Sequence, residues 1–210
     1  MQNRTYGDLF KLIQSLAGVG SFAASEQGDI ANFINRRFFE AYQTSQMWPR
    51  YIVIGEERDI ATSPAQTIPY AEAGKNTIAE FIRIHRKQPF LNNSELEYDF
   101  YVDADGAHIL NIVTSEEDKG YVTYKKQFSP FTVSSSYTTD TTDVPAEFFH
   151  YIAHAAYADF LRMDGQTDKA LIEEGTAGNY LALELEKVDL RMNNSTINKR
   201  FSTYVNRQSR

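Results

Sequence analysis

The sequence contains no cysteine, and this absence removes several kinds of chemistry. Without thiols the chain has no disulfides, no thiolate nucleophile and no cysteine-based zinc site. No stretch approaches the roughly 18 consecutive apolar residues that a membrane-spanning helix needs. The first residues also lack the apolar core of a signal peptide. We therefore expect a soluble protein that is not exported and has no membrane partner.

Positive charge is also scarce, since 21 basic residues face 28 acidic residues and the formal net charge is −7. A nucleic-acid-binding chain needs a surplus of cations to neutralise phosphates, so this balance argues against such a role for the chain as a whole. What is present suits a folded protein: 210 residues, of which 42% are hydrophobic and 13% aromatic. This composition predicts one domain, or one core with an insertion.

The first 49 residues carry the period of amphipathic helices. Thr5, with Asp8 three residues later, resembles a capping box, and Gly18 and Gly20 are expected to end the helix that follows. A second helix is predicted over residues 29–48, and Pro49 ends it. The apolar stripe of this second helix consists of Ile30, Phe33, Ile34, Phe38, Ala41 and Tyr42.

From residue 50 to residue 143 the apolar period changes from 3.6 to 2, which predicts strands. Asp105 and Gly106 have the chemistry of a tight hairpin turn. We expect four or five antiparallel strands here, at residues 51–54, 80–87, 96–102, 108–113 and 121–128.

The helical period returns at Pro145, a residue favoured at the first helical position. The face of this helix is predicted to contain Phe149, Ile152, Ala153, Ala156, Phe160 and Met163. The final helix is predicted to begin near Thr167, with a seam of Leu171, Gly178, Leu181, Leu185, Val188 and Met192.

The predicted fold class is therefore α+β. Residues 1–49 and 144–192 form a bundle of about four helices, residues 50–143 form an antiparallel β insertion, and residues 193–210 form an extended C-terminal arm.

The order of these segments is distinctive. A basic strand at residues 121–128 is followed by a Ser/Thr/Asp-rich loop, then Asp143-Val144-Pro145 and an alanine-rich helix. Near the N-terminus, Asn35-Arg36-Arg37 precedes an aromatic residue and a proline, Trp48 and Pro49. This order, over roughly residues 5–192, resembles the head-to-tail adaptor proteins of tailed bacteriophages, also called tail tubular protein A in short-tailed phages.

The resemblance implies a structural protein of the virion neck, made in the host cytoplasm and without an active site, a cofactor or a metal. In that family a ring, usually of twelve copies, lies beneath the portal protein, joins the head to a tail or nozzle protein, and passes double-stranded DNA through its channel. A net negative charge suits such a channel, because a wall that bound phosphates tightly would retard the genome.

Two patterns allow other functions. His150 and His154 are four residues apart on one helix, a spacing that can hold zinc, so a metal-dependent enzyme is an alternative. Tyr151 stands where the zincin motif has a glutamate, however, and no third ligand is evident. Asp103 and Asp105 resemble the start of a calcium loop, but the later ligands of that loop are missing. A monomeric module that binds a host protein is a further alternative.

The C-terminal arm is the candidate partner-binding segment. It combines cations with aromatic and aliphatic residues and contains no acid, a pattern that suits docking on a partner. The resemblance implies that this partner is the portal protein. The candidate residues are Ile197, Lys199, Arg200, Phe201, Tyr204, Arg207 and Arg210. We further expect the hairpin tip at Asp105 and Gly106, and a poorly packed loop at residues 134–143, to face partners.

Overall fold

The computed structural model describes residues 4–61, 66–89, 91, 94–113, 118–133 and 136–208, with side chains described as far as residue 190. Its helices are α1 (Tyr6–Ala17), α2 (Ala24–Gln43), α3 (Phe149–Met163) and α4 (Thr167–Gln208). Its strands are β1 (Arg4–Thr5), β2 (Ile52–Asp59), β3 (Thr67–Pro69), β4 (Ile78–His85), β5 (Tyr98–Val102), β6 (His108–Ile112), β7 (Lys119–Lys126) and β8 (Asp143–Val144).

These elements form two compact units. The helical unit contains Met1–Ser45 and Pro130–Arg210, and the β unit contains Gln46–Ser129. The predicted fold class, a helical bundle with an inserted β region and an extended arm, is wrong. The described part of the chain has eight antiparallel strands in three sheets beside its four helices. The segment predicted as an extended arm continues helix α4 as far as Gln208.

Helix α1 begins and ends as its sequence predicts. The Thr5 hydroxyl accepts a hydrogen bond from the Asp8 amide, and the Asp8 carboxylate accepts one from the Thr5 amide, both at 3.1 Å. These bonds satisfy backbone donors that have no partner within the helix. Gly18 then adopts a φ of 70°, a left-handed conformation that ends the helix.

Helix α3 is the central helix of its unit, because α1, α2 and α4 all pack against it. It is buried on more sides than the predicted single face, and Met163 from that face is half exposed. It also begins at Phe149 and not at Pro145. Residues 145–148 form a turn before the helix, in which the Phe148 amide donates to the Pro145 carbonyl at 3.0 Å. Helix α2 likewise begins and ends five residues earlier than predicted.

The segment before β8 packs against the start of α1. The Tyr6 amide donates to the Thr142 carbonyl at 2.8 Å, and the Gly7 amide donates to the Asp140 carbonyl at 3.0 Å. The Tyr137 ring stacks on Phe10 with ring centroids 5.4 Å apart. Residues 136–143 thus contact α1, although none of them is buried, and residues 134 and 135 lie outside the described part. That this segment faces a partner remains a prediction.

The β unit consists of two three-stranded antiparallel sheets, ordered β2-β7-β4 and β3-β6-β5. Isolated bridges at Ala61–Thr67 and His85–Glu95 join the sheets, so β2 is linked to β3 and β4 to β5. Both sheets contribute to one core, which consists of Ile60, Ile68, Ile78, Phe81, Ile84, Leu96, Leu110, Ile112, Val122 and Tyr124.

A buried arginine holds one end of this unit together. The Arg58 guanidinium donates to the Asn76 carbonyl at 2.5 Å, to the Pro69 carbonyl at 3.2 Å and to the Tyr124 hydroxyl at 3.2 Å. Its charge is balanced by Glu56 at 2.9 Å. Burial and the hydrogen bond to Glu56 raise the pKa of Tyr124 to about 12. The fully buried cation thus connects β2 to the backbone carbonyls of residues 69 and 76, and its own donors are satisfied by these contacts.

Candidate assembly surfaces

The hairpin between β5 and β6 closes with the predicted turn. The Asp103 carboxylate accepts hydrogen bonds from the Asp105 amide at 2.9 Å and from the Ala107 amide at 2.8 Å. Gly106 has a φ of 81°, which a residue without a side chain adopts at little cost. The Asp103 carboxylate is thereby used by the backbone of its own turn, as the hairpin interpretation predicts.

The apolar side of β5 extends beyond the core. Leu96 is buried just before the strand, and Tyr98 is half buried. Phe100, on the same side, pairs with the buried Leu110 of β6 but is itself 59% exposed, and Val102 is 53% exposed. The strand therefore has the predicted alternation, but the second half of its apolar side is left uncovered by the β unit.

The other side of this segment is acidic apart from the exposed Tyr101. Residues 95–107 contain five carboxylates and no lysine or arginine. Asp103 is used in the turn, whereas Glu95, Glu97, Asp99 and Asp105 are all exposed. The β5 surface, defined as residues 95–105, thus combines exposed apolar side chains with a run of negative charge.

A groove lies next to this surface, at the tip of the hairpin. It has a volume of about 410 Å³ and a mainly apolar lining that includes Tyr70, Ile78, Ala107 and His108. His108 pairs across the hairpin with Val102, so the groove begins opposite the exposed end of β5. The groove is lined by residues of β3, β4, the hairpin tip and β6, and not by the residues of β5 itself.

Helix α4 has a packed face and, on the opposite side, three exposed apolar residues among polar ones such as Asn179 and Glu186. The buried residues are Ala170, Ala177, Leu181 and Val188. On the other side Ile172, Leu183 and Leu190 are 70%, 55% and 54% exposed. At about 100° per residue these three lie within about 20° of one another and nearly opposite the packed face. We call Ile172, Leu183 and Leu190 the outer stripe of α4.

The packed face differs from the predicted seam in its first half. Ala170 and Ala177 face α3, whereas the predicted Leu171 and Gly178 are exposed. Ala170 packs with Ala158 and Leu161 of α3, and small residues allow two helices to approach closely. Leu181 and Val188 are buried as predicted, and Met192 lies beyond the residues whose side chains are described.

The candidate partner-binding residues of the C-terminus all lie where side chains are not described. The backbone of α4 is helical through Ile197, Lys199, Arg200, Phe201, Tyr204 and Arg207. Arg210 lies outside the described residues. The structure gives this segment a helical backbone, where the sequence predicted an extended arm. In a helix, residues four and seven apart lie on the same side.

The two histidines of α3 pack against one tyrosine of α4. The rings of His150 and His154 both stack on Tyr180, with centroids 5.1 and 5.3 Å away. His154 Nδ1 lies 2.7 Å from the Glu173 carboxylate. Burial, followed by the charge of Arg4, lowers the pKa of His150. Among the described residues no group of three or more histidine, aspartate or glutamate side chains is placed to hold a metal ion.

A charged network that sequence reasoning missed joins α2, α3 and α4. Arg37 binds Asp159 in a bidentate contact, in which Nε donates to Oδ2 at 2.7 Å and Nη2 donates to Oδ1 at 2.6 Å, and both side chains are buried. Arg36 lies 2.6 Å from the same carboxylate, and Arg162 lies 3.2 Å from it. Arg162 also pairs with Glu174 of α4, which lowers the pKa of that carboxyl.

The network also involves a buried tyrosine. The Tyr151 hydroxyl donates to Glu40 at 3.2 Å, and burial together with the charge of Glu40 raises the pKa of Tyr151 to about 12. The only sequence signal for this network was the spacing of Arg36, Arg37 and Glu40 on one helix. Its function is to hold three helices in register.

No protein-family model matches this chain, and no curated protein matches it either. None of the helices in the described residues is long and apolar enough to cross a membrane.

Proposed function

We propose that this protein is a structural component of a bacteriophage neck. In this proposal copies of the chain form a ring, which joins the portal protein to a tail or nozzle protein. Double-stranded DNA passes through the ring without sequence-specific contacts. The element order that resembles head-to-tail adaptors motivates the proposal.

The observation that carries it is the outer stripe of α4. A helix that packs on only one side usually has a polar opposite side, whereas α4 has Ile172, Leu183 and Leu190 there. Exposed apolar groups that line up in this way are typical of surfaces that bind another protein. A repeated contact between two different surfaces of identical chains closes into a ring when the rotation permits it.

The direct test is a reconstruction of the virion neck from particles that contain this chain. The expected result is a closed ring of this chain between portal and tail. A neck without such a ring would contradict the proposal.

A second test uses the purified full chain, alone and mixed with the portal protein encoded in the same genome. Mass photometry is expected to detect a multi-copy assembly, and Leu183→Glu with Leu190→Glu should reduce it. Leu91→Glu is the matched control, because Leu91 is also exposed but lies in the β unit. Equal assembly by all three chains would mean that the outer stripe is not an assembly surface.

A further inference from the structure

Strand β5 lies at the edge of its sheet, because in the described part of the chain it pairs only with β6. Two backbone hydrogen bonds flank this pairing. The Val113 amide donates to the Glu97 carbonyl, and the Asp103 amide donates to the Ala107 carbonyl, both at 3.0 Å. Odd-numbered residues of the strand thus bond to β6. Because bonding alternates along an antiparallel pair, the even-numbered residues direct their amides and carbonyls away from β6.

The free edge of β5 therefore consists of the amides and carbonyls of Tyr98, Phe100 and Val102. Strand β4 bonds only to the segment before β5, where the Leu96 amide donates to the Ile84 carbonyl at 3.1 Å. Among the described residues no backbone hydrogen bond reaches the free edge itself. An exposed edge of this kind can pair with an added strand from another chain.

The side chains of β5 indicate which sequence would suit this edge. On one side Phe100 and Val102 are exposed, and on the other side Glu97 and Asp99 are exposed together with Tyr101. No described lysine or arginine forms an ion pair with either carboxylate. A helix would cover only one of these sides, whereas an added strand places alternate side chains on both.

The acidic side argues against a second copy of this chain as the added strand. Two β5 strands placed side by side would bring carboxylates together, and like charges on adjacent strands are destabilising. Among the described strands only β7 carries more than one lysine or arginine, and β7 is already paired with β2 and β4. The segment that fits the free edge therefore belongs to a different protein.

We propose that β5 receives an extended segment of another protein, in which lysine or arginine alternates with apolar residues. The segment adds a fourth strand to the sheet β3-β6-β5 and bonds to the free edge of β5. Its apolar side chains lie beside Phe100 and Val102, and its cations lie beside Glu97 and Asp99. The backbone bonds supply affinity, and the alternate side chains supply specificity. This inference goes beyond the proposed ring, since it requires no second copy.

A synthetic peptide and the unaltered full chain test the proposal. The lysine peptide is about seven residues long, slightly longer than β5, and alternates lysine with valine and phenylalanine. Its addition should slow hydrogen exchange of the Phe100 and Val102 amides about tenfold or more, because they become bonded. The Asp99 and Tyr101 amides already bond to β6 and should change little. Equal protection of all four amides, or of none, would contradict strand addition.

Two N-methylated forms of the lysine peptide separate backbone pairing from attraction between charges. One form is methylated on the apolar residues and the other on the lysines, so both keep every side chain and every charge. In an added strand only one of these two sets of amides faces β5. The two affinities, measured by calorimetry, should therefore differ about tenfold or more. Equal affinities would overturn the proposal, because charge alone would then explain the binding.

Charge reversal tests the chemistry assigned to the partner. Glu97→Lys with Asp99→Lys should weaken binding of the lysine peptide about tenfold at low salt, and should allow binding of a peptide with glutamate at each lysine. The control is Asp168→Lys with Glu186→Lys, which reverses two exposed charges of α4 and should leave peptide binding unchanged. Equal binding of both peptides by the unaltered chain would overturn the assigned chemistry.

The outcomes also separate this inference from the proposed function. Leu183→Glu with Leu190→Glu, which should reduce ring assembly, should bind the lysine peptide normally. A chain that forms rings but binds no peptide overturns the inference and leaves the proposed function standing. Reduced self-association of Glu97→Lys with Asp99→Lys in sedimentation velocity would assign β5 to a contact between copies, and would also overturn the inference.

Discussion

Asp159 is the residue on which the buried charges of the helical unit converge. Three arginine side chains, Arg36, Arg37 and Arg162, lie within 3.2 Å of its carboxylate. A buried charge is tolerated only when it is paired and hydrogen-bonded. The stability of the helical unit therefore depends on both the charge and the shape of this side chain.

Asp159→Asn tests that dependence, because it removes the charge and keeps the size. The buried Arg37 is then left opposite a neutral amide, and the free energy of unfolding should fall by about 3 kcal/mol. Chemical denaturation followed by circular dichroism measures the change. The control is Asp189→Asn on an exposed position of α4, where no loss is expected. Equal denaturation midpoints for the two variants would contradict the assigned role.

Gly7 is required for a different reason, namely space. A Cβ at this position would lie 2.7 Å from the Thr138 carbonyl oxygen, which belongs to the segment that packs on α1. Gly7→Ala should therefore destabilise the chain by separating that segment from the helix.

Gly28 is the matched control, because it lies within α2 and a Cβ there meets no atom within 4 Å. Gly28→Ala should raise the free energy of unfolding by up to about 1 kcal/mol, since alanine is the better helix former. Thermal melts of the two variants should therefore shift in opposite directions. Shifts of the same sign would mean that the contact at Gly7 does not limit its substitution.

At the scale of elements, an ion pair links α3 to α4. The hydrogen bond from Arg162, together with the charges of Arg162 and Arg37, holds the pKa of Glu174 below its ordinary value of 4.5. The folded state thus binds fewer protons at this site than the unfolded state. Its contribution to stability is complete above about pH 4.5 and is lost as pH falls through the lowered pKa.

Glu174→Gln should therefore destabilise the protein at pH 7 by less than about 1 kcal/mol, because the pair is partly exposed to solvent. The difference from the unaltered chain should shrink as the pH falls below about 4.5 and through the lowered pKa of Glu174. Denaturation curves at several pH values measure it, and Glu186→Gln on an exposed position of α4 is the control. A difference that stays constant from pH 7 to pH 3 would exclude this linkage.

At the scale of the whole molecule, the chain consists of two units with separate cores. Every residue of the β core lies between Ile60 and Tyr124, within Gln46–Ser129. The helical unit is assembled from two stretches that flank this segment. The β unit therefore has the contacts that an independently folding domain needs.

A fragment of residues 46–129 should accordingly fold alone. Its proton–nitrogen NMR spectrum should have the amide dispersion of a β protein, and its thermal melt should be cooperative. Ile84→Asp in the same fragment is the control, because Ile84 is fully buried and a charge there should abolish the dispersion. A collapsed spectrum for the unaltered fragment would show that the helical unit is needed for its folding.

Several local features follow from the sequence because neighbouring residues determine them. The Thr5 and Asp8 cap, the left-handed Gly18 and the turn at Asp103–Gly106 were predicted correctly, since their hydrogen bonds join residues at most four apart. The alternation of β5 was also predicted correctly, because a strand places successive side chains on opposite sides.

Only the tertiary structure decided the features that depend on distant segments. Arg37 and Asp159 are separated by 122 positions, and no local pattern reveals such a pair. The seam of α4 contains Ala170 and Ala177 because the spacing to α3 favours small residues over the more hydrophobic Leu171. Likewise, the sequence determined that β5 has an apolar side. Which residues of that side are covered depends on the rest of the β unit, and Phe100 and Val102 lie beyond its core. Burial is a property of what packs against a residue, and for that reason the exposed surfaces proposed for assembly became visible only in the fold.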